Sequence, residues 1–291
     1  MYVGFELNEY QPLREIDPSE IKDFEAQEKG AFDRLSDYMV GQFEGKDVID
    51  AEKLAEHLFP AKKAHVFLSH SHRDTESAME LAIALRDKGL EVFVDSYVWD
   101  YFDNLLIALN NVYADPVKKN EGRVIYNYKK ATDLTAGVHM MLMSALQTMI
   151  DRSELFVFLN TNNSTSLKNF SGVERTLSPW IFSELQFSST ARSRIPPRYC
   201  VGMESLLEEE EHRGKVITSK SALLSFKVFN EHLPKVDGGE LRTWFNGTGL
   251  EGDKALDSLY ERSNIAQEFT KLREELERRE LEVAQEVDRN P

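Results

Sequence analysis

The sequence predicts an α/β fold: a parallel β-sheet with helices on both faces and helical extensions at its two ends. Two observations carry this. Three short apolar runs, at 64–68 (AHVFL), 91–94 (EVFV) and 154–160 (ELFVFLN), have the length and side chains of buried strands. Helical patterns separate them, and strands joined by helices pair in parallel through right-handed crossovers.

The elements follow in order. Residues 1–60 are polar, with Ile21, Phe24, Phe32, Leu35, Met39 and Val40 spaced as in two amphipathic helices, and read as a helical N-terminal extension. After the first strand, Ala78, Leu81, Ala82 and Leu85 repeat at helical spacing, and Gly89 stops the helix. Residues 113–135 read as a long irregular insert. Val138, Met141, Leu142, Ala145, Leu146, Met149 and Ile150 form a second helical stripe, read as core. Ser178-Pro179 has the form of an N-cap with proline at the first helical position, and the helix behind it carries Trp180, Glu184 and Phe187. Short strands are expected at 216–217 and 226–229, and an exposed acidic helix at 206–211. The main domain is set at 61–245. Residues 246–291 form a charged C-terminal helical segment with Leu259, Ile265, Phe269, Leu272 and Leu276 as its apolar positions.

Composition narrows the function. A net charge of −15 repels phosphate backbones, so a nucleic-acid partner is not expected. One cysteine, Cys200, cannot form an internal disulfide or a thiolate metal cage, which suits a reducing, cytoplasmic setting; it is read as structural. No signal-peptide pattern and no run of about 20 apolar residues occurs, so no membrane association is expected. The absence of GxGxxG and Walker A sequences argues against a standard dinucleotide redox site and P-loop phosphoryl transfer. His70 and His72 beside Asp74 lack a supporting HExxH or carboxylate cluster and read as a loop pair rather than metal ligands; His139 reads as structural.

In a parallel sheet, ligands bind at the carboxyl edge. Three loops are expected to converge there, at 69–74, 95–103 and 160–178. They hold most of the chain's unusual polar and aromatic residues.

The segment HVFLSHSHRDTESAMELAIALRDKGLEVFVDS resembles the opening strand, helix and second strand of a TIR (Toll/interleukin-1 receptor-like) domain. The third strand and SPWIFSEL resemble that family's later block, in which Trp precedes Glu by four residues. The match runs over residues 64–190, within a domain set at 61–245. The 113–135 insert with VHMMLMSAL resembles a bacterial, Thoeris-like group associated with anti-phage defence. The resemblance implies a flavodoxin-like sheet and NAD+ glycohydrolase or ADP-ribosyl cyclase activity, with NAD+ as substrate and no further cofactor. It also implies a homo-oligomer and a downstream effector that senses the product.

Nicotinamide is cationic in NAD+ and leaves neutral, so one carboxylate suffices to hold the ribose and stabilise an oxocarbenium-like centre. Glu184 occupies the matching position, against the alternative of a solvated helix glutamate. Trp180, one turn earlier, reads as pocket wall or core. Ser69 and His70 are expected on the adenosine or phosphate side. Asp95, Ser96 and Trp99 would begin a loop that gates the pocket, with Trp99 alternatively a loop anchor. Asn160 is expected as a ribose contact or a turn residue. The competing readings are a non-catalytic TIR scaffold and a module that binds an NAD-derived nucleotide without cleaving it.

Overall fold

The computed structural model describes residues 3–28, 38–58, 64–118, 124–165, 174–191, 194–199, 225–247, 249–263, 265–274 and 278. The chain forms β1 (Val3–Asn8), α1 (Pro18–Glu28), β2 (Met39–Phe43), β3 (Lys46–Ile49) and α2 (Ala51–Leu58). β4 (Val66–Ser69), α3 (Thr75–Asp87), β5 (Val92–Val94) and α4 (Ser96–Tyr113) follow. Then come β6 (Val117–Lys118), β7 (Val124–Ile125), α5 (Tyr128–Arg152), β8 (Leu155–Asn160), β9 (Arg175–Thr176) and α6 (Pro179–Thr190). The last are β10 (Phe226–Lys227), β11 (Lys235–Asp237), α7 (Gly238–Gly247) and α8 (Asp253–Arg262).

Five strands form one parallel sheet in the order β11-β1-β8-β4-β5. The three strands read from sequence are β4, β5 and β8, and they lie side by side with β4 between the other two. The fold is therefore α/β, with a central parallel sheet flanked by helices. Among the described residues, no helix is long and apolar enough to cross a membrane.

The two faces of the sheet differ in what they bury. One face presents aliphatic side chains, among them Leu7, Val66, Leu68, Val92 and Val157, packed under α1, α3, α7 and α8. The other presents Phe67, Phe156 and Phe158 under α2, α4, α5 and α6. On α5 the expected stripe is core: Leu142, Leu146 and Ile150 are all buried. α3 ends as expected at Gly89, whose φ of +70° suits a residue without Cβ.

Several sequence expectations need correction. The N-terminal 60 residues are not an outlying helical extension. β1 sits inside the sheet, between β8 and β11, and among the described residues of this stretch the α-helices are α1 and α2. Met39 and Val40 lie in the exposed β2–β3 hairpin, not in a helix. The reason is alternation: Val3, Phe5 and Leu7 point to one core, so β1 reads by period two. β1 and α8, which lie on either side of the 61–245 span, share one hydrophobic core with β4 and α3. Residues 253–262 and 266–274 are helical, and Leu259, Ile265 and Phe269 are buried in that core.

The irregular insert at 113–135 is instead the end of α4, the small β6–β7 hairpin and the start of α5, capped by Asn127, which accepts from the Lys130 amide. β10 pairs with β9, in line with the expected strand near 226. Phe32, Leu35, Cys200, 206–211, 216–217 and Leu276 lie outside the described residues.

One ionic cluster fastens α8 to the start of β8. Arg198 donates to both oxygens of Glu154 at 2.9 and 2.5 Å and to Asp257 at 2.7 Å, and the Tyr260 hydroxyl donates to Glu154 at 2.8 Å. The two carboxylates hold the guanidinium pKa above its usual value, although burial alone would lower it. Arg198→Ala strands Glu154 and is expected to cost about 2 kcal/mol in urea unfolding, below the full cost of opening a buried pair because Arg198 keeps some solvent contact. A loss under about 0.5 kcal/mol would reduce the cluster to surface decoration.

Candidate functional site

The site is assembled at the carboxyl edge of β4, β5 and β8. β4 delivers Ser69 as its last residue, and β5 delivers Asp95 just past its end. α6 starts where sequence places it: the Ser178 side chain accepts from the Ile181 amide, with Pro179 at the first turn. The turns of that helix bury Ile181, Glu184, Leu185 and Ser188, one stripe at i, i+3, i+4 and i+7. Glu184 is thus carried on the apolar face, pointing into the protein with no exposed surface. The solvated-glutamate alternative is excluded by this burial.

Around Glu184 the predicted residues come together. The Ser69 hydroxyl donates to Glu184 Oε2 at 2.5 Å. His70 Nδ1 lies 2.7 Å from Asp95 Oδ1, with both side chains buried. The two atoms are each other's buried polar partner at ion-pair distance, although the geometry is not that of an aligned hydrogen bond. Glu184 Oε1 and His70 Nε2 are also buried without a hydrogen-bond partner among the described residues. Buried polar groups are generally paired, so these two atoms mark the cluster as polar ground inside the core.

Burial pushes the Glu184 carboxyl well above the usual carboxylate range. The Asp95 charge raises it further, while the Ser69 hydroxyl pulls the other way. Burial and the Asp95 charge thus both favour the protonated carboxyl over the carboxylate.

The remaining predicted residues divide. Trp180 is half-buried and stacks on His139 at 5.4 Å and 7°, with Phe102 edge-on to both. His139 is structural here, as its sequence context predicts, and its Nδ1 meets the Thr135 carbonyl. Asn160 belongs to a second centre: its amide donates to Glu6 at 2.6 Å, and its carbonyl oxygen accepts from Thr165 at 2.9 Å.

The gating loop expected from Asp95 onward is not a loop. The chain enters α4 at Ser96, because Phe102, Leu105 and Leu109 supply a buried helical stripe. The side chains of Ser96 and Trp99 lie outside the described residues.

The other two expected loops do converge. Asp74 accepts from the Thr161 hydroxyl and the Asn163 amide, each at 2.6 Å, and so ties the turn after β4 to the turn after β8. His72 and Asp74 make a 3₁₀ turn, and among the described residues no group of three or more His, Cys, Asp or Glu is placed to hold a metal ion.

Sequence reasoning missed Glu6 altogether. Its carboxylate is fully buried on β1 and accepts from Asn160 at 2.6 Å and from Asn230 at 2.8 Å. The signal was present, since a charged residue inside the alternating run Val3, Phe5, Leu7 marks a polar position on a strand face. Comparison of the chain with models of known families, with curated proteins and with solved structures finds no match.

Proposed function

We propose that this chain is a TIR-type NAD+ glycohydrolase or ADP-ribosyl cyclase, with Glu184 as its catalytic carboxylate. One observation carries the reading: the glutamate matching the family's Trp-x-x-x-Glu motif lies buried at the carboxyl edge, bonded to Ser69 and beside Asp95 and His70.

The chemistry follows from the charge states. In the resting site burial and the Asp95 charge favour the neutral form of Glu184. A cationic nicotinamide riboside entering the cluster favours the ionised carboxylate, so binding is coupled to proton release. The ionised Glu184 then holds the ribose and stabilises the positive charge that grows at the anomeric carbon as the nicotinamide bond breaks. Nicotinamide leaves neutral, and water or a group of the same nucleotide completes the bond. The product then serves a downstream effector in the anti-phage signalling that the resemblance implies.

A second reading is favoured by the lack of any exposed surface on Glu184. A carboxyl locked inside suits a scaffold, or a module that binds an NAD-derived nucleotide at the edge without cleaving it. Purified protein, alone and with a crowding agent, is incubated with NAD+ and assayed for released nicotinamide, with light scattering in parallel. Cleavage that rises with self-association is expected. An assembling protein that releases no nicotinamide supports the scaffold, and a strict monomer cleaving at full rate removes the role of assembly.

A further inference from the structure

Two acids and one base are enclosed together at the carboxyl edge. Ser69, His70, Asp95 and Glu184 are each at most 4% exposed. Leu68 pairs with Val94, so the next residues along, Ser69 and Asp95, end neighbouring strands. Ser69 donates to Glu184 Oε2 at 2.5 Å, and His70 Nδ1 meets Asp95 Oδ1 at 2.7 Å. Asp95 also hydrogen-bonds to Glu184, which completes the chain Ser69–Glu184–Asp95–His70. Ionised carboxylates only accept, so this last bond requires a proton between the two acids. That proton also serves Glu184 Oε1, the oxygen that Ser69 does not reach and that has no other donor among the described residues.

An enclosed cluster favours zero net charge, since an uncompensated charge is costly to bury. Two carboxyls and one imidazole are neutral together when they hold two ionisable protons. One lies between Glu184 and Asp95, and the other on the contact between Asp95 and His70. His70 Nε2 has no partner among the described residues, so the ring can gain or lose a proton there and keep its contact with Asp95. The other titratable groups nearby turn elsewhere. His72 and Arg73 are exposed, Asp74 is held by Thr161 and Asn163, and Glu6 is held by Asn160 and Asn230. On β8 the residue opposite Ser69 is the apolar Phe158.

We propose that His70 is a positioning residue for Glu184 and acts through Asp95. Protonated, it balances the Asp95 charge, so that Glu184 can ionise beside a compensated neighbour. Replaced by a neutral group, it leaves Asp95 as a bare like charge, and Glu184 keeps its proton. With His70 charged, the cluster passes from zero to a single negative charge as a cationic nicotinamide ribosyl group arrives. The proton goes to water, and its electron pair stays on Glu184. The inference rests on the NAD+ reading for its substrate and gives His70 no part in bond breaking. It assigns His70 a role other than the phosphate-side contact expected from sequence.

The test reads the ionisation of Glu184 directly, by the carbonyl stretch of its protonated carboxyl in an infrared pH titration. Glu184→Gln lacks the band and so assigns it. His70→Gln keeps an N–H donor toward Asp95 but cannot take up a proton. It is expected to raise the titration midpoint by about one pH unit or more, and Asp95→Asn to lower it by a similar amount. In the Asp95→Asn background, His70→Gln is expected to shift nothing further. On NAD+, His70→Gln is expected to lower kcat about tenfold at neutral pH, because one pH unit is tenfold in the ionised fraction, with KM kept within about threefold. A midpoint that His70→Gln leaves unmoved, or moves equally without Asp95, makes His70 a structural residue and overturns the proposal.

If wild type releases no nicotinamide, the NAD+ reading has failed on its own, and the infrared titration still decides the role of His70. Should His70→Gln fail to fold, Asp95→Asn carries the test. A lower midpoint in that variant supports the coupled pair, and an unchanged or higher one overturns it.

Discussion

Glu184→Gln is expected to lower nicotinamide release by at least about a hundredfold while making the folded protein more stable above pH 5. The catalytic half follows from charge. Glutamine keeps the size and accepts from Ser69, but it cannot ionise as the ribose becomes cationic, and removal of one such electrostatic group costs about 10²–10³ in rate. The loss falls on kcat more than on KM, because the charge matters most in the transition state.

The stability half follows from the same burial. An unfolded glutamate titrates near 4.3, while burial and the neighbouring Asp95 raise the folded value well above that. Between the two, the folded protein keeps a proton that the unfolded chain has released. Stability is then fully present below the unfolded value and is lost as pH rises toward the folded one, with a slope of up to about 1.4 kcal/mol per pH unit. Glutamine has no such proton. Its amide mimics the neutral acid and offers a donor toward Asp95. Urea unfolding at pH 5, 6, 7 and 8 reads the difference, which should widen as pH rises. Parallel stability curves would remove Glu184 as the source, and equal nicotinamide release would remove it from the mechanism.

What could be read from sequence depended on the period of each signal. β4, β5, β8, α3, α5 and the α6 cap were legible because each carries a long repeat or a specific cap. Glu184 was legible from its spacing to Trp180, and its burial could have been deduced from Ile181, Leu185 and Ser188 on the same stripe. α4 was hidden by the aromatic and acidic residues at its start, although Phe102, Leu105 and Leu109 repeat correctly.

The sheet order was not legible at all. Nothing local in VGFELN says that it joins two strands that follow it in the chain by some 150 and 230 residues. The Glu6 centre follows from that placement, and so its partners Asn160 and Asn230 could not be assigned from spacing. Long-range parallel pairing leaves a pattern of burial in a segment but no address.

Leu7→Ala tests that placement and carries the largest expected loss of stability. β1 pairs in parallel on both sides, with β8 through residues 3–8 and with β11 through residues 6–8. Leu7 has no exposed surface and belongs to the core shared with α3, α7 and α8. Truncation removes buried carbon from water-free surroundings and leaves a cavity between elements tied by strand pairing, which limits collapse. Such changes cost 2–5 kcal/mol, and about 4 is expected here. Gly4 shows how closely this strand is packed: a Cβ there would meet the Phe156 carbonyl oxygen at 2.9 Å. Phe43→Ala serves as the control, since Phe43 is 69% exposed on the β2–β3 hairpin and its truncation should stay within about 0.5 kcal/mol. If residues 1–60 were an extension outside the core, the two variants would behave alike. A Leu7→Ala loss below 1 kcal/mol in urea unfolding would therefore take β1 out of the sheet, and Glu6 away from Asn160 and Asn230.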